Sequence, residues 1–199
     1  GGQALHTTAF QVSTLPGFAC GTEVELQLTL TTASHGVFTV PVTVTSGEAA
    51  ASATRVDNST TTAIPDVGTV ESTNTVAGFV GPLTKVAVSL WITHTYVADL
   101  SLSLIGPDGT VVDLSSGNGA GADFGSACSP DASRTTFVDA AHTPITAGTP
   151  PFLGSYRPEG SLAVFNGMVS GVANGNWRLR IKDSNGGTPG TLRCWSLFL

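Results

Sequence analysis

KVAVSLWITHTYVADLSLSLIGPDGT, residues 85–110, decides the fold class. Val86, Val88, Leu90 and Ile92 alternate with Lys85, Ala87, Ser89, Trp91 and Thr93. Side chains two apart share one face of an extended chain, so this period describes a half-buried β-strand and not a helix. After His94-Thr95-Tyr96 a second alternation runs Leu100, Leu102, Leu104, and Gly106-Pro107-Asp108-Gly109 leads into Thr110 to Leu114. Pro presets φ and Asp-Gly tolerates tight turn geometry, so the two runs close into a hairpin.

The same pattern extends outward in both directions. Upstream, Val24, Leu26, Leu28 and Leu30 share one side of a strand, and Phe38, Val40, Val42 and Val44 repeat it after the turn at Ser34-His35-Gly36. Downstream, Trp177, Leu179 and Ile181 form one strand, Asp183 to Gly190 a Gly-rich turn, and Leu192 to Leu199 the closing strand. No stretch of ten residues carries apolar positions at i, i+3, i+4 and i+7, so the chain reads as all-β. Short antiparallel strands at hairpin spacing mean a sandwich or jelly-roll. The polar, Ala- and Ser-rich stretch from Ser46 to about Ser59 has no periodic apolar signal and reads as a linker, placed at residues 49–59. Residues 115 to 175 are irregular and rich in Gly, Pro and Asn, more loop than a bare sandwich needs. A metal, a disulfide or both are expected to order them.

Of the 199 residues 41% are hydrophobic and 11% charged, with 24 Gly and 11 Pro, so a core is affordable and disorder is not expected. The net charge is −6, and the eight Lys and Arg read as scattered, which makes nucleic acid and anionic membrane poor partners. An acidic, Lys-poor, Thr- and Ser-rich surface points to export. No apolar run approaches the roughly 18 to 20 residues of a membrane span, and the start Gly1-Gly2-Gln3 has the look of a processed or excised fragment. Cysteines stand at 20, 128 and 194 without a CxxC pair, which argues against a thiolate zinc site. An oxidised Cys128–Cys194 pair with Cys20 left over is expected, worth roughly 3 to 4 kcal/mol on the chain-entropy model. The alternative is three buried free thiols.

Several short motifs then fall in a recognisable order. They are ITHTYVADL (92–100), LIGPDGT (104–110), GAGADF (119–124), TTFVDA (135–140), YRPEG (156–160), FNG (165–167), NGNW (174–177) and GTLRCWSL (190–197). Residues 60–199 resemble the P domain (P/homo B domain) of proprotein convertases and bacterial secreted proteases. The resemblance implies a jelly-roll-like antiparallel β-sandwich, extracellular and not itself catalytic. It implies too that the domain accompanies an upstream protease catalytic domain, helps it stay folded and contributes to contact with protein substrate. Residues 1–48 lie outside the match and look like part of an immunoglobulin-like domain. Two hairpin strands cannot bury a core alone, so residues 1–46 are expected to pack on the P-like domain, on further sequence, or on another chain by strand addition.

The chemistry in the residues is thin. His6, His35, His94 and His142 have no supporting nucleophile motif, and neither GxSxG nor HExxH occurs. His94, inside the family-like strand end, is expected to make a structural hydrogen bond. Gly117 to Gly125 has closely spaced glycines but lacks the Lys and following helix of a phosphate loop. Asp99, Asp123 and Asp139 flank the irregular segment and form a candidate calcium set, since calcium takes six to eight oxygens. The alternative is that they accept backbone N–H bonds in turns. Asp183 reads as a turn cap, and Arg157 with Glu159 as an ion pair fixing a Pro-containing turn. Two rival functions remain open. One is an extracellular structural or adhesion subunit assembling through the N-terminal β segment. The other is a carbohydrate-binding module using Trp91, Trp177 and Trp195.

Overall fold

The computed structural model describes residues 23–32, 34–45, 54–187 and 189–199, and the chain divides into two units, Gly1–Ser52 and Ala53–Leu199. The leftover Cys20, His6 and residues 49–53 of the 49–59 linker lie outside the described residues.

In the first unit, β1 (Glu23–Thr32) and β2 (Gly36–Thr45) form an antiparallel hairpin. Its register sets Leu26 opposite Val42, Leu28 opposite Val40 and Leu30 opposite Phe38, so the apolar side chains of the two strands share a face. The Thr32 hydroxyl accepts from His35 N (3.0 Å) and donates to Gly36 O (3.2 Å), tying the turn. Gly36 adopts φ +82° there, a conformation that costs glycine nothing.

The second unit is a two-sheet sandwich. Its strands are β3 (Arg55–Asn58), β4 (Thr62–Ile64), β5 (Gly68–Val76), β6 (Ala87–Thr93), β7 (Leu100–Ile105), β8 (Val111–Ser116), β9 (Thr135–Phe137), β10 (Gly154–Tyr156), β11 (Gly175–Asp183) and β12 (Gly190–Phe198). One sheet runs β10-β9-β6-β12-β3, with β4 also on β12, and the other runs β5-β11-β7-β8. All described pairings are antiparallel except β9 with β10. The expected antiparallel β-sandwich is therefore present.

Val88, Leu90 and Ile92 of β6 and Leu192, Trp195 and Leu197 of β12 face Leu102 and Leu104 of β7 and Trp177, Leu179 and Ile181 of β11, all essentially without exposure. Each such side chain contributes roughly 1.5 to 3 kcal/mol by leaving water. Phe165 meets Trp177 edge-on with centroids 4.9 Å apart, and Phe124 stacks on Phe152 at the same distance. The irregular segment is ordered mainly by apolar anchors: Phe124, Phe137, Ile145, Phe152, Leu162 and Phe165 are all buried. The expected disulfide adds to this. Cys128 and Cys194 are bonded, with Cα atoms 6.0 Å apart, and buried Arg134 donates to Cys128 O (2.7 Å) and to Ser196 Oγ.

The linker reading requires correction, because residues 55–58 of the 49–59 stretch are β3, paired with β12 through Val56 opposite Leu197. β4, β5, β9 and β10 also lay outside the strands expected from the sequence. Polar residues at inward positions hide them. Asn58 donates to Thr73 O (2.9 Å), buried Asn74 donates to Val56 O (3.0 Å), and buried Ser72 accepts from Trp195 Nε1 (2.9 Å). An apolar/polar count misses strands whose core face carries satisfied hydrogen-bonding groups.

Candidate functional site

The densest polar cluster lies where β6 and β11 end together. His94 directly follows β6 and Asp183 is the last residue of β11, so the pair bridges the two sheets. His94 Nε2 lies 3.1 Å from Asp183 Oδ2, with both side chains fully buried. His94 Nδ1 lies 3.0 Å from Tyr96 O and 3.2 Å from Tyr96 N. Both ring nitrogens are thus engaged. A Cβ on Gly190 would lie 2.5 Å from the His94 ring, so glycine is what lets β12 pass. Asp183 Oδ1 accepts from Asn185 N (3.2 Å), the turn cap expected from the sequence.

Asp123 and Asp99 belong to the same end. Asp123 Oδ1 accepts from His94 N (3.0 Å), and Asp99 Oδ1 accepts from Asn185 Nδ2 (2.9 Å). Asp139 lies elsewhere. Its carboxylate caps the turn at Leu162–Phe165, accepting from Leu162 N (2.9 Å), Ala163 N (2.7 Å) and Ser161 Oγ (2.9 Å). It flanks a groove beside Thr84 and Val86, at the opposite end of β6 from His94. A seven-residue strand spans about 23 Å, so Asp139 cannot share an ion with Asp99 and Asp123. Among the described residues no group of three His, Cys, Asp or Glu side chains is gathered as metal ligands. The proposed calcium trio does not fit one site, and each member has a backbone or side-chain donor instead.

Other residues singled out in the sequence take structural posts. Glu159 accepts from Ser116 N (2.9 Å) and from Asn118 Nδ2, capping β8, and among the described residues it makes no ion pair with Arg157. Trp177 and Trp195 have no exposed surface, which removes two of the three indoles from any sugar platform. Trp91 is half-buried under the Arg193 guanidinium, 5.8 Å from its ring centroid. Asp131 is held below the usual carboxylate range by the hydrogen bond from Arg55 (2.6 Å), and burial lowers the Arg134 pKa.

The sequence reading missed one grouping. Three of the eight cations, Arg178, Arg180 and Lys182, stand at alternate positions of β11 and therefore on one face, which corrects the scattered picture. The period-2 spacing that identified the strand carried this signal as well.

The family model for the proprotein convertase P-domain matches residues 83–199, more than half of the chain. The chain belongs to this family. The P-domain is similar to leupeptin-inactivating enzyme 1 of Streptomyces exfoliatus, 30% identical over 146 residues that cover 71% of this chain and 25% of that enzyme. The chain thus spans about a quarter of that relative's length. Among solved structures it is similar to the serine protease of Aeromonas sobria. In complex with its chaperone that protein gives TM-score 0.44 and 19% identity, over 86% of this chain and 36% of that one. Alone it gives 0.39 and 18%, over 87% and 36%.

Proposed function

We propose that this chain is the non-catalytic accessory domain of a secreted bacterial protease, stabilising a catalytic domain carried upstream in the same polypeptide and touching its protein substrate. The observation that carries the reading is the P-domain match across β6 to β12. The polar cluster supports the non-catalytic part. A general base must present a ring nitrogen to a substrate proton, whereas the His94 side chain is fully buried with both nitrogens engaged. The Cys128–Cys194 bridge suits an oxidising, extracellular setting. Among the described residues no helix is long and apolar enough to cross a membrane.

The test compares the intact protease with a form truncated before residue 54. The intact form should outlast the truncated one at elevated temperature, and the isolated chain should leave casein uncleaved. Casein hydrolysis that disappears on mutating a single His or Ser of this chain would overturn the reading, as would equal thermal lifetimes.

A second reading rests on the hairpin, where Leu30, Val37, Phe38, Val40 and Val42 are each more than a third exposed. Residues 1–46 would then add strands to a neighbouring chain in an extracellular assembly. Concentration-dependent dimers on size exclusion, lost with Phe38→Ser, would favour it over the accessory-domain reading.

A further inference from the structure

β11 lies between β5 and β7, so its outward side chains stand in the middle of an open sheet face. Trp177, Leu179, Ile181 and Asp183 point to the core, which leaves Asn176, Arg178, Arg180 and Lys182 pointing out. The register sets hydroxyls beside all three cations, with Ile105 also next to Arg178 and Glu71 opposite Arg180. Arg178 stands opposite Thr73, Arg180 beside Ser103, and Lys182 between Thr69 and Ser101.

The neutralisation on this face is incomplete. Glu71 alone answers two guanidiniums, accepting from Arg178 Nη1 (2.7 Å) and from Arg180 Nε (2.8 Å). Each guanidinium has five N–H groups, so most of their donors stay open. Among the described residues Lys182 is in no ion pair. Asp113, bonded to Ser103 Oγ (3.0 Å), is the other carboxylate close to this face. A chain of net charge −6 therefore carries here a face with three cations against two carboxylates.

The face continues into an open groove of about 650 Å³ whose lining includes Pro107, Val172, Asn176 and Arg178 and contains no carboxylate. The groove beside β8, about 450 Å³, is by contrast lined by Asp113 and Glu159. Arg178 thus joins the strip of cations to this groove.

We propose that the outer face of β11, with this groove, binds an acidic segment of polypeptide in extended conformation. The spacing supports a peptide. Cations two residues apart on a strand repeat at about 6.6 Å, the same interval as alternate side chains of an extended chain laid along it. From Asn176 to Lys182 the strip measures about 20 Å, room for six or seven residues. A nucleic acid is a poorer match, because three cations neutralise few phosphates and the rest of the chain is acidic. Exposed ion pairs are individually weak and screened by salt, so the complex is weak and salt-sensitive. This inference stands independently of any attachment to a protease.

The experiment is fluorescence anisotropy on the whole chain with a labelled (Glu-Thr)4 peptide, at about 20 mM and 150 mM salt. Binding is expected to weaken about tenfold in Arg178→Ser/Lys182→Ser. It should tighten in Glu71→Gln, which frees both guanidiniums while keeping the size of the side chain. These positions face solvent, and circular dichroism checks that each variant keeps its fold. A (Gln-Thr)4 control that binds equally, a double variant that keeps full affinity, or no binding of the acidic peptide at low salt would overturn the proposal. Competition by millimolar inorganic phosphate that matches unlabelled peptide would overturn it too, marking a small-anion site.

Discussion

In the β1–β2 hairpin Leu30 stands opposite Phe38, and both remain about half exposed, at 45% and 49%; in the β6–β12 ladder Leu90 stands opposite Trp195, and both are fully buried. The two pairs occupy equivalent places on antiparallel ladders. What separates them is a second layer. The face of the β6–β12 ladder is covered by β7 and β11, whereas among the described residues the hairpin has no second sheet over its own. Alternation specifies which side of a strand seeks burial, and only a partner sheet provides it.

The largest expected effect tests that difference directly. Trp195→Ala should cost about 4 kcal/mol in chemical denaturation of the sandwich, from lost transfer energy, a cavity and the lost indole N–H bond to Ser72, whose hydroxyl keeps only Asn58 as a partner. Phe38→Ala should stay within about 0.5 kcal/mol. A Phe38→Ala loss comparable to that of Trp195→Ala would break the comparison, because it would mean that something buries the hairpin face.

Histidines make a second, smaller contrast. His35 in the hairpin turn meets Ser34 Oγ (2.7 Å) in the open, while His94 meets Asp183 in full burial between two sheets. Asp183→Ala should cost about 3 kcal/mol by leaving the buried imidazole without its partner. His35→Ala should cost no more than about 0.5 kcal/mol. Adding His94→Leu to an Asp183→Leu background should cost less than His94→Leu alone. Strict additivity in that cycle would mean that the two side chains are not coupled.

Legibility divided along the same line. β6, β7, β11 and β12 were readable because each turns at least three apolar side chains inward, as in Leu100, Leu102 and Leu104. β3 and β5 were not, because Asn58, Ser72 and Asn74 turn hydrogen-bonding groups inward and satisfy them across the sheets. His94 was recognised as structural from its motif, but its partner Asp183 lies 89 positions away, and no local pattern links them. The carboxylates suggested calcium because they flank the irregular segment, yet Asp123 and Asp139 accept from backbone N–H groups and Asp99 from the side chain of Asn185, 86 positions away, and a linear pattern displays neither.

The turns sharpen the comparison by about 1 kcal/mol. The hairpin uses Gly36 at its left-handed position, while the β4–β5 turn of the sandwich sets Val67 at φ +56° with its side chain 62% exposed. A β-branched residue there is strained and gains little from packing. Val67→Gly should therefore stabilise the sandwich by up to about 1 kcal/mol, part of the relief being offset by glycine's greater unfolded-state freedom. A loss of stability would mean that the Val67 side chain, close enough for its Cγ2 to be 3.5 Å from a Cβ on Gly186, holds the neighbouring turn in place.

The smallest expected effect concerns calcium. Ion-ordered loops melt earlier when the ion is removed, since binding to the native state alone adds to its stability. The sandwich orders its long segment with Phe124, Phe137, Phe152, Phe165 and the Cys128–Cys194 bridge, and Asp99, Asp123 and Asp139 already accept hydrogen bonds from the protein. Adding a chelator to the purified chain should leave the melting temperature unchanged, whereas reducing the disulfide should lower it. A chelator-induced drop reversed by calcium and abolished by Asp123→Ala, with Asp139→Ala still responsive, would place an ion at the His94 end of the sandwich. The loop between β8 and β9 would then depend on a metal.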